Sequence, residues 1–116
     1  MSYEKFILKG RTGVPEISIT EYGQIVFNGA SLVKFDLEKY SFSTLYYDKE
    51  NKKIGIKLTN DESDEGKRLI RKRKNYATIG AKLFLLYYNI KLNGTKKVIP
   101  TWDEDAQMIV LDVSQS

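Results

Sequence analysis

The residues best suited to binding chemistry form one basic run in the middle of the chain. The run and the aromatic residue that follows it comprise Lys67, Arg68, Arg71, Lys72, Arg73, Lys74 and Tyr76. Each cation that neutralises a nucleic-acid phosphate steepens the salt dependence of binding by close to one unit of log-log slope. Tyr76 could stack on an unpaired base. These seven residues are therefore the candidate nucleic-acid-binding site.

An acidic segment directly precedes this run. Its carboxylates, Asp61, Glu62, Asp64 and Glu65, would repel the same polyanion. In the alternative interpretation the two runs pair with each other in a solvated linker, where each surface ion pair contributes about 0 to 1 kcal/mol. Both interpretations are open at this stage, and residues 60–75 are predicted to be a charged connector.

The remaining carboxylates lie in two polar turns. They are Asp48, Glu50, Asp103, Glu104 and Asp105. Aspartate is favoured in turns because its side chain bonds nearby backbone amides. A metal site would need further ligands converging from elsewhere, and none is suggested by spacing. We therefore predict turn chemistry and no metal.

Composition argues against an enzyme. The chain has no histidine and no cysteine, which removes the commonest general base, the thiolate ligands and the usual nucleophile pairs. Its glycines fit no Walker or Rossmann spacing. The net charge of +4 permits contact with polyanions. We expect a protein that is not an enzyme, with no cofactor and no small-molecule substrate.

The sequence predicts a cytoplasmic protein that does not enter a membrane. The longest apolar run, Leu83 to Tyr88, is far shorter than the roughly 18 residues of a membrane span. The first residues lack the basic and long apolar regions of a secretion signal.

Hydrophobic periodicity assigns the elements of the first half. Alternation of apolar residues predicts two strands joined by a turn at Tyr22 and Gly23, and Asn28 is a suitable N-cap for a helix over 29–37. Spacing places Ala30, Val33 and Leu37 on the buried face of that helix. A hairpin of strands 42–48 and 52–58 follows, in which one of Tyr46 and Tyr47 should point away from the core.

The second half follows the same plan. Residues 75–80 are predicted to be a strand, and 81–90 a short helix that is apolar nearly all round and therefore buried between neighbours. A second hairpin comprises residues 96–103 and 107–113. The apolar and turn residues of the two halves match at fixed offsets: Phe35-Asp36-Leu37 with Tyr88-Asn89-Ile90 at 53, Tyr47-Asp48 with Trp102-Asp103 at 55, and Ile54, Ile56 and Leu58 with Ile109, Leu111 and Val113 at 55.

These matches predict a fold that is mainly β with two short helices (α+β), built from duplicated strand-helix-hairpin units that form a small barrel or sandwich. One compact domain is expected. Its predicted parts are an N-terminal arm or edge strand (1–15), a first repeat unit (16–59), the connector (60–75) and a second repeat unit (76–116). Chance resemblance between short hairpins is the alternative explanation.

The first unit resembles the swapped-hairpin families of AbrB, SpoVT and MraZ. The resemblance covers residues 17–58 and rests on Gly23-Gln24-Ile25, Asn28, Ala30 and Leu37. The chain departs from the family pattern in lacking a proline at the helix start and a glycine in the following loop. The resemblance implies interleaved hairpins in a small barrel, which bind DNA through basic residues on one sheet face.

The functional expectation is a small DNA-binding regulator similar to AbrB, with nucleic acid as its partner and self-association into a homo-oligomer. The alternative is a structural or protein-interaction module, such as a phage or mobile-element protein, that acts through oligomerisation.

Overall fold

The computed structural model describes residues 13–114, which form two antiparallel five-stranded sheets and two short helices in a compact globule. Sheet A has the strand order β6-β7-β2-β1-β8 and sheet B the order β5-β3-β4-β10-β9. The strands are β1 Ile17–Ile19, β2 Gln24–Phe27, β3 Phe42–Asp48, β4 Lys53–Thr59, β5 Arg68–Leu69, β6 Arg71–Lys72, β7 Ala77–Gly80, β8 Lys96–Val98, β9 Thr101–Asp103 and β10 Met108–Asp112. The helices are α1 Gly29–Lys34 and α2 Lys82–Tyr87, and a 3₁₀ turn spans Leu37–Lys39. The mainly β prediction with two short helices is confirmed. Most of the predicted N-terminal arm lies outside the described residues.

One hydrophobic core lies between the inner faces of the two sheets. Alternate residues of each strand point inward, as strand geometry requires. Ile19, Ile25 and Ile79 of sheet A and Ile56 and Ile109 of sheet B are fully buried and belong to the same cluster. The outer faces of both sheets are partly exposed and mix polar with apolar residues, such as Val26 in sheet A and Val110 in sheet B.

Asn28 starts α1 and also ties the helix to the preceding chain. Its Oδ1 accepts hydrogen bonds from Ser31 N at 2.9 Å and from Glu16 N at 3.0 Å, and its Nδ2 donates to the Val14 carbonyl. Asn28 is therefore the N-cap that the sequence predicts, with additional long-range partners.

Replacing Asn28 with Ala is expected to lower the free energy of unfolding by about 1 to 2 kcal/mol, because the orphaned amides of α1 and Glu16 lose their acceptor. Urea unfolding measures this loss. Asn75→Ala is the matched control, since Asn75 is exposed, and should change the free energy by less than about 0.5 kcal/mol. Equal losses for the two variants would contradict the assigned role.

The predicted buried face of α1 is wrong at Val33. Ala30 and Leu37 are buried, but Val33 is 57% exposed, and Ser31, Leu32 and Phe35 face the core instead. The reason is that the helix ends at Lys34, so its periodicity does not extend to Leu37. Asp36 takes a left-handed conformation with φ of 55°, and Leu37 enters the core from the 3₁₀ turn.

The prediction that α2 is buried on all sides is also wrong. Phe84 and Leu85 enter the core, whereas Leu83, Leu86 and Tyr87 are 71%, 66% and 80% exposed. Apolar side chains thus lie on both faces of the helix. No described element covers the face that carries Leu83, Leu86 and Tyr87 enough to bury these three side chains. Strand bounds of the β3–β4 hairpin, by contrast, match the predicted ones to within one residue.

Two edge segments pass from one sheet to the other. β5 pairs with β3 in sheet B, and β6 then pairs with β7 in sheet A, with Ile70 buried at the crossing. β8 pairs with β1 in sheet A, and β9 then pairs with β10 in sheet B, with Pro100 between them. Proline lacks the N–H that continued pairing needs. The strands are organised as two sheets and not as one closed sheet.

Candidate nucleic-acid interface

The basic run lies on strands β5 and β6 and on the turn that leads to β7. The side chains of the run lie in different surroundings. Arg71 and Lys72 are successive strand residues, so their side chains point to opposite faces of sheet A. The turn is closed by a 2.7 Å hydrogen bond from Arg73 N to the Tyr76 carbonyl. Tyr76 is 45% exposed beside it.

Several cations of the run make contacts within the protein, and three of them connect separate elements. Arg68 Nη1 donates to the Gly80 carbonyl at 3.2 Å, and Lys72 Nζ donates to the Glu38 carbonyl at 3.1 Å. Lys67 Nζ lies 5.8 Å from the centroid of the Phe42 ring, a cation–π distance. These contacts join the two sheets and the 3₁₀ turn, which gives these side chains a structural role.

Arg71 belongs to a row that crosses the whole outer face of sheet A. Strand pairing aligns Arg71 with Thr78, Thr78 with Val26, Val26 with Ser18, and Ser18 with Lys97. Four strand spacings separate the backbones of Arg71 and Lys97 by about 19 Å. The three residues between them are small and partly exposed, so they form a low platform with a positive charge at each edge.

The strands of the two sheets differ in charge. Sheet A strands carry four bases, Arg71, Lys72, Lys96 and Lys97, and no acid. Sheet B strands carry three bases and three acids: Lys53, Lys57, Arg68, Asp48, Asp103 and Asp112. The strands of sheet A therefore carry a net charge of +4, whereas the charges on the strands of sheet B cancel.

The acidic segment before the basic run is held against sheet B. Asp64 Oδ2 accepts a 3.0 Å hydrogen bond from the hydroxyl of Thr44, and a Cβ atom added at Gly66 would lie 3.1 Å from the methyl group of Thr44. Thr44 is an outward-facing residue of β3, in register with the exposed Lys57. The segment thus lies over the outer face of sheet B, on the side of the core opposite the sheet A platform.

The hairpin carboxylates bond the backbone of their own turns. Asp48 Oδ1 accepts from Glu50 N and Asn51 N, and Asp103 Oδ1 accepts from Ala106 N at 3.1 Å. Hydrogen bonds from Asn51 hold the pKa of Asp48 below its usual value. A carboxylate stabilised in its ionised form is a poor proton donor, so the geometry favours turn chemistry.

Comparison with protein-family models, with curated proteins and with solved structures finds no match for this chain. Among residues 13–114, no helix is long and apolar enough to cross a membrane. Within the same range, no three acidic side chains converge as metal ligands do.

Lys97 is the functional candidate that sequence reasoning missed. Its neighbourhood in sequence, Lys96-Lys97-Val98, contains nothing that distinguishes it from other exposed lysines. Only the pairing of β8 with β1 brings it into the row that ends at Arg71. The available signal was the alternation of Lys97 with the inward-facing Val98, which predicts an outward side chain without saying on which sheet.

Proposed function

We propose that this protein binds nucleic acid through the outer face of sheet A and acts as a small DNA-binding regulator without enzymatic activity. The observation that carries the proposal is the row from Arg71 to Lys97, which has a cation at each edge and only small residues between. A phosphate backbone can lie against such a platform without steric obstruction. The position of Asp64 over sheet B supports the proposal, because it keeps the acidic segment away from this face.

Phosphates supply the affinity in this proposal, and base readout is weak. Between Arg71 and Lys97 the platform has two hydroxyls, of Thr78 and Ser18, and no amide or guanidinium side chain for bidentate contacts to bases. Fluorescence anisotropy with labelled DNA, duplex and single-stranded, tests the proposal. Affinity should fall steeply between about 50 and 200 mM salt. Absence of salt-sensitive binding in both forms would contradict it.

We further propose that the two halves are copies of one strand-helix-hairpin unit, fused to form the two-sheet scaffold. Backbone geometry at the predicted offsets supports this. Asp36 and Asn89, 53 apart, both have φ of 55°, and Lys52 and Gln107, 55 apart, have φ of 54° and 56°.

Equivalent burial in the paired strands β4 and β10 supports the same proposal. Ile54 and Ile56 correspond to Ile109 and Leu111 at an offset of 55, and all four side chains are fully buried. The two strands pair with each other, Ile54 with Leu111 and Ile56 with Ile109, as adjacent copies of one unit can.

A second candidate function is self-association through α2. Leu83, Leu86 and Tyr87 lie at i, i+3 and i+4, so they form one continuous exposed stripe. The occupant we propose is a second copy of the chain, because an uncharged apolar stripe is complementary to itself across a twofold interface. The stripe contains no residue of the sheet A row, so the two proposals can be tested independently.

Replacing Leu86 with Glu is expected to convert the dimer into a monomer, because a carboxylate buried between two apolar stripes is left unpaired. Sedimentation equilibrium measures the change. Val33→Glu is the matched control: Val33 occupies the corresponding position of α1 at an offset of 53 and is 57% exposed. A wild-type protein that is monomeric at all concentrations would contradict the second candidate.

A further inference from the structure

A cavity of about 470 Å³ opens at the end of the molecule where α2 terminates. It is lined by the end of the β3–β4 hairpin, by residues between Asn89 and Lys96, and by Val113 and Ser114, which follow β10. Cavities that bind small molecules commonly have volumes of about 300 to 1,000 Å³. The cavity thus has room for a ligand well beyond the size of a single ion.

The rim of the cavity is cationic. Lys52, Lys91 and Lys96 line it, and none of their ammonium groups forms a hydrogen bond or ion pair with any residue between 13 and 114. No acid belongs to the lining. Asp112 is not part of the lining: hydrogen bonds from the hydroxyl and amide of Ser114 hold its pKa below its usual value, and the charge of Lys96 contributes to this. Three amines around one opening are suited to a phosphate group.

The floor of the cavity is apolar and includes an aromatic ring. Tyr47, Ile90 and Val113 contribute to it, and each is partly buried. Ring contacts hold Tyr47: its centroid lies 5.1 Å from that of Tyr88 in a tilted arrangement and 6.3 Å from that of Phe84 in an edge-on one. A rigid aromatic surface beneath a cationic rim is suited to a ligand that joins a planar ring to an anionic group.

The end of α1 differs from the end of α2 at the corresponding positions. At an offset of 53, Lys91 corresponds to Glu38 and Asn89 to Asp36, so acidic residues replace a cation and an amide. There, Asp36 forms a 2.8 Å ion pair with Lys39, and Leu37 is fully buried, whereas its counterpart Ile90 is partly exposed. Of these two helix ends, that of α2 combines several lysines with an open apolar floor, and that of α1 does not.

We propose that this cavity binds a mononucleotide, with the phosphate against Lys52, Lys91 and Lys96 and the base against Tyr47. The site is separate from the outer face of sheet A, since Lys52 and Lys91 lie outside the strands of that sheet. It therefore supplies a place where a small metabolite could bind while sheet A holds a nucleic acid.

Isothermal titration calorimetry of the full chain with AMP, adenosine and inorganic phosphate tests the proposal. AMP should bind at least about tenfold more tightly than either fragment, because only AMP uses the rim and the floor together. The double variant Lys52→Gln with Lys91→Gln should lose at least about tenfold in AMP affinity. Glutamine suits position 52, because Gln107 has the same left-handed backbone at the corresponding position.

The matched control is Lys34→Gln with Lys57→Gln, which removes the same net charge from exposed positions outside the cavity. It should leave AMP affinity within about twofold, and thermal unfolding verifies that both double variants fold. Equal binding of AMP and phosphate, equal losses in both double variants, or no binding of AMP would overturn the proposal. The sheet A proposal is tested independently by the double variant Arg71→Ala with Lys97→Ala, because neither residue lines the cavity.

Discussion

The double variant Arg71→Ala with Lys97→Ala is expected to lose at least about tenfold in affinity for DNA at about 100 mM salt. The reason is that each side chain supplies a charge-assisted contact to a phosphate, and the two stand at opposite edges of the platform. The slope of log affinity against log salt should become shallower by about 1.4 to 1.8, since each lost contact removes about 0.7 for single strands or 0.9 for duplex. Fluorescence anisotropy over a salt series measures both quantities.

The control for this variant removes the same charge from the other sheet. Lys53→Ala with Lys57→Ala lowers the net charge equally but leaves sheet A unchanged, and both lysines are exposed on β4. Its affinity should stay within about threefold of wild type, because long-range attraction between exposed charges is largely screened beyond about 10 Å at this ionic strength. Equal losses in the two double variants would mean that net charge, and not the sheet A row, determines binding.

Replacing Gly23 with Ala is expected to lower the free energy of unfolding by about 3 kcal/mol, the largest effect on stability that we predict for a single methyl group. Gly23 has φ of 87°, and a Cβ atom there would lie 2.6 Å from the Cα of Lys82. The left-handed backbone costs alanine about 1 to 2 kcal/mol, and overpacking against the helix backbone costs about 1 to 3 kcal/mol more. The Gly23 carbonyl also accepts a 2.7 Å hydrogen bond from Ala81 N.

A variant at Gly94 separates the cost of the left-handed backbone from the cost of overpacking. Gly94 has φ of 83°, close to that of Gly23, but a Cβ atom added there meets nothing within 4 Å. Gly94→Ala should therefore cost only the backbone component, about 1 to 2 kcal/mol. Urea unfolding of both variants measures the difference. If Gly23→Ala is no more destabilising than Gly94→Ala, the close approach of the β1–β2 turn to α2 is not important for stability.

Local patterns in the sequence predict the elements well where a turn or cap has its own chemistry. Asn28 marks the start of α1, and strand β3 was predicted with its observed bounds. The alternation of Tyr46 and Tyr47 is also confirmed: Tyr46 is 44% exposed on the outer face, while Tyr47 packs against Phe84 and Tyr88. In each case, the deciding interactions lie within a few residues of chain.

Long-range arrangement is where sequence reasoning fails. The row that defines the interface depends on the pairing of Ser18 with Lys97, residues 79 positions apart, and no local pattern specifies that register. Likewise, the apolar character of α2 predicts burial, but the number of its faces that are covered depends on the neighbours that the fold supplies. In β5 and β6 the charges of the basic run obscure the alternation that would have indicated strands.

The most direct test of the central claim is amide chemical-shift mapping of the isotope-labelled protein with a short DNA strand. The account predicts that the largest perturbations follow the sheet A row, at the amides of Ser18, Val26, Arg71, Thr78 and Lys97. It also predicts that Gly55 and Val110, at the centre of the outer face of sheet B, stay unperturbed. Perturbations concentrated on sheet B or on α2, with the sheet A row unchanged, would contradict it.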